Sequence, residues 1–206
     1  MPDDIPMFPL GTVLLPGAPL TLHVFEPRYR ELVRVCLEGT PEFGVALIER
    51  GTEVGGGDAR FDVGCVARIV EAMPFEDGRW ALAAVGARRI RISRWLPDAP
   101  YPRAEVEDWE DARPGPGAAE DRKVLVARLR KVLALAAELG ASVADATTDV
   151  DEDPVRAGYQ VADLAPFGPL DRLAVLAAPS PDERARLLTR LLDDAAVMLA
   201  ARVAGG

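Results

Sequence analysis

The chain has 206 residues, 49% of them hydrophobic and 28% charged, which supplies enough apolar side chain for a core and excludes disorder as a description of the whole. Its formal charge is −9 and its pI near 4.8, and a surface of that sign repels phosphate backbones and anionic lipid, so neither nucleic acid nor a membrane surface is an expected partner. The two cysteines, Cys36 and Cys65, lack metal-ligand spacing and read as buried free thiols in a reducing, cytoplasmic compartment.

In chain order, the first stretch to weigh runs from Ile5 to Phe25, which carries no formal charge over a length able to span a bilayer. Pro6, Pro9, Pro16 and Pro19, with Gly11 and Gly17, break such a helix repeatedly. Asp3 and Asp4 stand where a secretory signal carries positive charge, so no targeting segment is expected. Leu20, Leu22 and Val24 alternate with Thr21, His23 and Phe25, the period of a strand with one face inward. From Pro27 to Glu38 the period changes: Tyr29, Leu32, Val33, Cys36 and Leu37 form a helical stripe, with Pro27 in the first turn and Gly39 expected as a left-handed stop.

Strands rich in Val, Ile and Ala are expected from Phe43 to Glu49, Val63 to Phe75, Arg79 to Leu96 and about Arg103 to Trp109. Asp77-Gly78 predicts a hairpin with a primed two-residue turn, and Gly86 and Gly64 suggest bulges. Gly55-Gly56-Gly57 lacks the strand-then-helix setting of a dinucleotide site and reads as a flexible turn. Ala112 to Gly117, rich in Pro and Gly, marks a change to Ala/Leu-rich helical sequence. Beyond it come a long helix ending at Gly140, a second opened by Asp153-Pro154, a short third opened by Pro169, and a fourth from Pro181 to about Val203 behind the capping-box pattern of Ser180 to Glu183. The expected fold class is α+β: a closed or half-closed antiparallel β-barrel with one short inserted helix (residues 1–112), followed by about four helices that pack on each other or on the barrel (residues 119–206).

Several motifs follow one another in the first half: Phe8-Pro9-Leu10-Gly11-Thr12-Val13-Leu14-Leu15-Pro16-Gly17, Leu22-His23-Val24-Phe25-Glu26-Pro27-Arg28-Tyr29, Phe43-Gly44-Val45, Val63-Gly64-Cys65-Val66-Ala67 and Asp77-Gly78-Arg79. In these the chain resembles the Lon substrate-binding (Lon N-terminal) domain family, in its free-standing bacterial form. The likeness covers residues 5–110 and more weakly the helices after Asp153. It implies a PUA-like antiparallel β pseudo-barrel followed by a C-terminal helical bundle of about four helices, and engagement of unfolded or marked polypeptide. The ATPase and Ser-Lys peptidase modules of full-length Lon proteases have no counterpart in these 206 residues.

The residues themselves offer little catalytic machinery. There is no Gly-x-x-x-x-Gly-Lys-[Ser/Thr] loop for ATP phosphates, and none of the three serines sits in Gly-x-Ser-x-Gly. His23 is the only histidine, which removes metal sites built on two imidazoles; among apolar neighbours it reads first as a hydrogen-bonded structural histidine. Glu26, Arg28 and Tyr29 form a cluster at the strand-to-helix junction, whose plainer reading is a Glu26 cap, an arginine ion pair and a packed tyrosine. Asp149 to Asp153 resembles the start of a calcium loop, but Pro154 stands where the loop needs Gly and Gln160 where it needs Glu, so it reads as a solvated acidic loop. Arg88, Arg89, Arg91 and Arg94 are the one basic cluster, and Glu105 and Glu107 offer them cross-strand ion pairs.

The expectation is therefore a non-catalytic module, with no cofactor and no metal. It recognises unfolded or extended polypeptide, or a protein partner, as an adaptor for proteolysis or quality control, in a groove where barrel meets helices. The contact residues expected are Phe8, Leu10, His23, Phe25, Glu26, Arg28 and Tyr29. The alternatives are an enzyme using His23 or Glu26 on a small molecule, for which a deep polar cavity is the discriminating feature, and a PUA-like RNA binder using Arg89 and Arg91.

Overall fold

The computed structural model describes residues 3–50 and 59–205, so the expected turn at Gly55-Gly56-Gly57 lies outside the described residues. The elements are β1 (Asp3–Leu10), β2 (Pro19–Val24), α1 (Pro27–Glu38), β3 (Glu42–Arg50), β4 (Ala59–Pro74), β5 (Trp80–Leu96), β6 (Arg103–Asp108), α2 (Ala118–Glu138), α3 (Pro154–Leu164), α4 (Pro169–Leu176) and α5 (Pro181–Gly205). They fall into two compact units, Met1–Glu110 and Asp111–Gly206.

In the first unit the strand order is β2-β5-β4-β3-β1-β6, and β6 also bonds β5, so the sheet closes on itself. Closure hides strand edges that would otherwise template aggregation. Its interior is filled by Met7, Ala46, Val66, Ile90, Ile92, Ala104 and Val106. The expected antiparallel barrel is corrected at one seam, because β1 and β3 run parallel from Met7↔Gly44 to Leu10↔Leu47. The reason is the crossover: β2 and α1 lie between them, long enough to return the chain in its original direction. A further correction is β1 itself, which the proline-rich stretch concealed. Met7 N–H points away from β3 to Pro102 O, so the nitrogen of Pro9, two residues on, faces that same side, and Pro6 precedes the β1–β3 pairing. Neither proline removes a bond from that parallel ladder.

The long β5 shares one edge between two partners, with Trp80 to Val85 on β2 and Ile90 to Leu96 on β6. β1 is likewise divided, Asp3 to Pro6 on β6 and Met7 to Leu10 on β3. Closure is thus complete at the β6 end of the seam, while β1 beyond Pro6 and β2 are left unjoined. α1 lies beside this interruption and buries Tyr29, Leu32, Val33 and Cys36.

Two local expectations are revised. Gly39 has φ −118°, so it does not stop α1 in the left-handed region; Gly140, at φ +74°, does so after α2. The β4–β5 hairpin has a three-residue loop, since Phe75 N–H bonds Arg79 O, Gly78 N–H bonds Phe75 O, and Gly78 alone takes positive φ (+79°). That is a turn followed by a left-handed glycine, a three-residue hairpin type, in place of the primed pair. At Gly86 the register does slip, Val66 facing Arg88 while Ala67 faces Gly86, and a second slip adjoins Gly64, which faces Ala46 while Ile48 faces Arg60. Both glycines permit close backbone approach: a Cβ would stand 2.1 Å from Leu15 O at Gly86 and 2.4 Å from Val45 O at Gly64.

In the second unit, α2 packs on α5 and α3. Leu125, Leu129, Val132, Leu133 and Ala136 of α2 are buried, as are Leu188, Leu192, Ala195 and Ala196 of α5. Asp153 caps α3, its carboxylate accepting from Arg156 N–H at 2.9 Å, and Ser180 Oγ accepts from Glu183 N–H at 3.2 Å as the capping pattern predicts. The acidic loop serves the same helix: Gln160 Oε1 accepts from Asp151 N–H and Gln160 Nε2 donates to Asp149 O. The segment before α2 is fastened as well. Gly115 N–H donates to Asp182 at 3.0 Å, and Asp111 accepts from Arg184 at 2.5 Å and from Tyr159 at 2.7 Å.

Candidate functional site

Alternation along β2 turns Leu20, Leu22 and Val24 toward the core side and leaves Thr21 and His23 exposed. At the interruption of the barrel, Leu22, His23, Val24, Phe25 and Glu26 line one wall of a cleft of about 80 Å³, and Phe8, Leu10 and Tyr29 line the other. Six of the seven expected contact residues meet there; Arg28 stands behind it, its guanidinium 4.5 Å over the Tyr29 ring. Phe8 and Tyr29 stack at 4.0 Å with an interplanar angle of 9°, and Phe43 meets Phe8 at 5.9 Å from below. Such stacking contributes about 0.5–1.5 kcal/mol beyond area burial and holds the floor rigid. Phe25, by contrast, is 55% exposed at the mouth. Leu22 and Val24 were not among the expected contacts, since alternation marks them only as inward-facing.

The charged residues are tied into the scaffold. Glu26 accepts from Arg28 Nε at 3.2 Å, Arg28 lies 3.8 Å from Asp98, Asp98 lies 3.5 Å from Arg60, and Arg60 sits 4.7 Å over Trp95. This chain joins residues far apart in sequence, and no local spacing announced Arg60 or Asp98. Glu26 occupies the N-cap position of α1, but its side chain makes no capping bond; the backbone carbonyl accepts from Tyr29 and Arg30 N–H instead. The expected carboxylate cap is corrected accordingly. His23 is exposed and makes no hydrogen bond among the described residues, which replaces the expected structural bond.

The basic cluster resolves into structural contacts. Arg94 pairs with Glu105, and Arg88 with Glu42 at 2.5 Å and Asp108 at 2.7 Å. The Arg94 hydrogen bond holds the Glu105 carboxyl below its ordinary range. Arg91 faces Glu107 in register yet stacks at 3.7 Å over Trp109. Arg89 is buried, lies 4.1 Å over the same ring, and donates to Trp109 O at 3.0 Å. Both thiols are free and buried, and burial pushes Cys36 and Cys65 up to about 12. Among the described residues no group of three or more His, Cys, Asp or Glu is placed to hold a metal ion, and no helix is long and apolar enough to cross a membrane.

Comparison with known proteins places this geometry. Residues 4–194 match the ATP-dependent protease La (LON) substrate-binding domain. Lon protease 1 of Herpetosiphon aurantiacus is 28% identical over 93% of this chain, and Lon protease 2 of Myxococcus xanthus is 27% identical over 94%. The chain spans about a quarter (24%) of either relative's length. The crystal structure of a Lon N-terminal domain protein from Xanthomonas campestris aligns with a TM-score of 0.62 at 30% identity, over 93% of this chain and 98% of that one. The N-terminal domain of a Mycobacterium avium complex Lon protease aligns equally well, TM-score 0.62, at 17% identity over 93% and 99% of the two chains, a likeness of fold. The chain therefore belongs to the ATP-dependent protease La (LON) substrate-binding domain family.

Proposed function

We propose that this chain is a non-catalytic module that holds extended or unfolded polypeptide segments at the cleft formed by Phe8, Leu10, His23, Phe25, Glu26 and Tyr29, with Arg28 bracing Tyr29. The observation that carries the reading is an apolar cleft with an exposed phenylalanine at its mouth, set where barrel closure is interrupted. A rigid aromatic floor and an exposed apolar rim suit side chains of loosely defined sequence, as recognition of unfolded chains requires. Membership of the substrate-binding family supports the same reading. A role as adaptor in proteolysis or quality control, in the cytoplasm, extends this proposal, and the two free buried thiols suit a reducing compartment. The small volume and the engagement of Glu26 by Arg28 weigh against a small-molecule enzyme.

The test is titration of a fluorescent, permanently unfolded protein, reduced and carboxymethylated, with the purified chain. Saturable binding, weakened at least fivefold by Phe25→Ala, is expected. Absence of binding up to about 1 mM, a level equivalent to only ~4 kcal/mol, overturns the proposal.

A further inference from the structure

The cleft ends at a strand edge whose hydrogen-bonding phase can be read. Gly86 N–H donates to Ala18 O at 2.9 Å and Gly86 O accepts from Gly17 N–H at 2.8 Å, just before β2 begins. In an antiparallel ladder, residues that bond their opposite number alternate with residues that do not. Counting on from Ala18 through the register Pro19↔Val85 to Val24↔Trp80 puts the bonds to β5 on Leu20, Leu22 and Val24. Thr21 and His23 therefore turn N–H and C=O away from β5. No strand pairs with that edge among the described residues.

β1 does not pair with β2, and its facing edge offers no amide donor at Met7 or Pro9. Met7 N–H is already spent on Pro102 O, and Pro9, next on the same edge, has no N–H to offer. Water satisfies these exposed groups in the free chain, and an added strand replaces it with backbone donors and acceptors. The cleft beside it, about 80 Å³ and lined by Phe8, Leu10, Leu22, Val24 and Tyr29 among others, suits an aliphatic side chain. The formal charge of −9 favours an occupant with basic residues at its solvent-facing positions and disfavours a second copy of this acidic chain.

We infer that the outer edge of β2 adds one extended strand of a client polypeptide, bonded to the main chain of Thr21 and His23, with an aliphatic side chain in the cleft and Lys or Arg favoured outside it. This rests on the polypeptide-binding reading and specifies its chemistry as β-strand addition.

The probe is a short fluorescent peptide alternating valine and lysine, made unmodified and in two N-methylated forms, one methylated on every valine nitrogen and one on every lysine nitrogen. Strand addition predicts that one methylated form binds at least tenfold more weakly than the parent while the other stays within about threefold, because only alternate amides face β2. Thr21→Pro removes an outward donor without touching the β5 ladder and is expected to weaken the parent peptide at least tenfold. If Thr21→Pro fails to fold, the pair of methylated peptides still decides. Equal binding by all three peptides overturns strand addition and leaves side-chain binding of unfolded protein intact. Binding of the carboxymethylated unfolded protein but not of the parent peptide overturns the aliphatic-basic specificity. A concentration-dependent dimer, seen by sedimentation and abolished by Thr21→Pro, assigns the edge to a second copy and overturns the proposal. Failure of both peptide and unfolded protein to bind overturns the functional reading as well.

Discussion

Phe8 and Tyr29 are the hinge between sequence and site, since one comes from the end of β1 and the other from the first turn of α1, and their stacked rings floor the cleft. Phe8 is 7% exposed, so Phe8→Ala removes a buried ring and is expected to cost about 3–5 kcal/mol, read as a lowered denaturation midpoint. The thiols give a pH signature. Burial holds Cys36 and Cys65 near 12 against an ordinary 9.0, so above pH 9 the unfolded chain releases protons that the folded chain keeps. Stability contributed by keeping both thiols neutral is present below pH 9 and falls as pH rises from about 9 toward 12. Denaturant titrations across that window, compared with a Cys36→Ala, Cys65→Ala double variant, are expected to show a shallower alkaline loss in the variant.

Arg184 is 1% exposed, and its Nη1 has no hydrogen-bond partner among the described residues. Its guanidinium lies 3.9 Å over the Tyr159 ring and donates to Asp111, so the charge is neutralised by the residue that opens the helical unit. Asp111→Ala leaves that charge buried and unpaired and is expected to destabilise by about 3–5 kcal/mol, whereas Tyr159→Phe removes one hydroxyl at about 1–3 kcal/mol. Calorimetry of both variants checks the ratio.

Among the elements, the glycines of the barrel decide where backbones approach. Gly86→Ala sets a Cβ against Leu15 O, and Gly64→Ala against Val45 O, both backbone atoms with no rotamer to move. Each is expected to cost more than the ~1 kcal/mol of an ordinary single substitution, with expression of folded protein as the measure. Gly140→Ala, with open space around its Cβ but φ +74°, is strained by conformation alone and is expected to cost less.

These elements also show what was legible. α1 and α3 were readable because Pro27 and Pro154 fix a first turn and the apolar stripe follows at helical spacing, all local signals. β1 was hidden because Pro6 and Pro9 argue against a strand unless the free side of each nitrogen is known, and that side depends on pairing with β3 and β6. Parallel pairing is non-local for the same reason. At the site, the 22–29 segment was legible as a strand-to-helix junction. The Arg28–Asp98–Arg60 chain and the burial of Arg89 were not, since each depends on a neighbour from another strand.

At the scale of the whole barrel, closure is complete except along β2 and along β1 beyond Pro6. Five strands form the closed circuit, and β2 hangs on β5 with its far edge and an apolar cleft left available. The proposed preference for basic residues carries a salt dependence: binding of the valine-lysine peptide is expected to weaken as salt is raised from 50 to about 500 mM, since screening over about a Debye length removes the attraction. The central claim is that polypeptide is held at this cleft, and hydrogen–deuterium exchange of the intact chain, with and without the carboxymethylated unfolded protein, tests it most directly. The account predicts slowed exchange confined to amides of residues 20–29 and 7–11, Thr21 and His23 foremost. Protection elsewhere in the chain with residues 20–29 unchanged would contradict it.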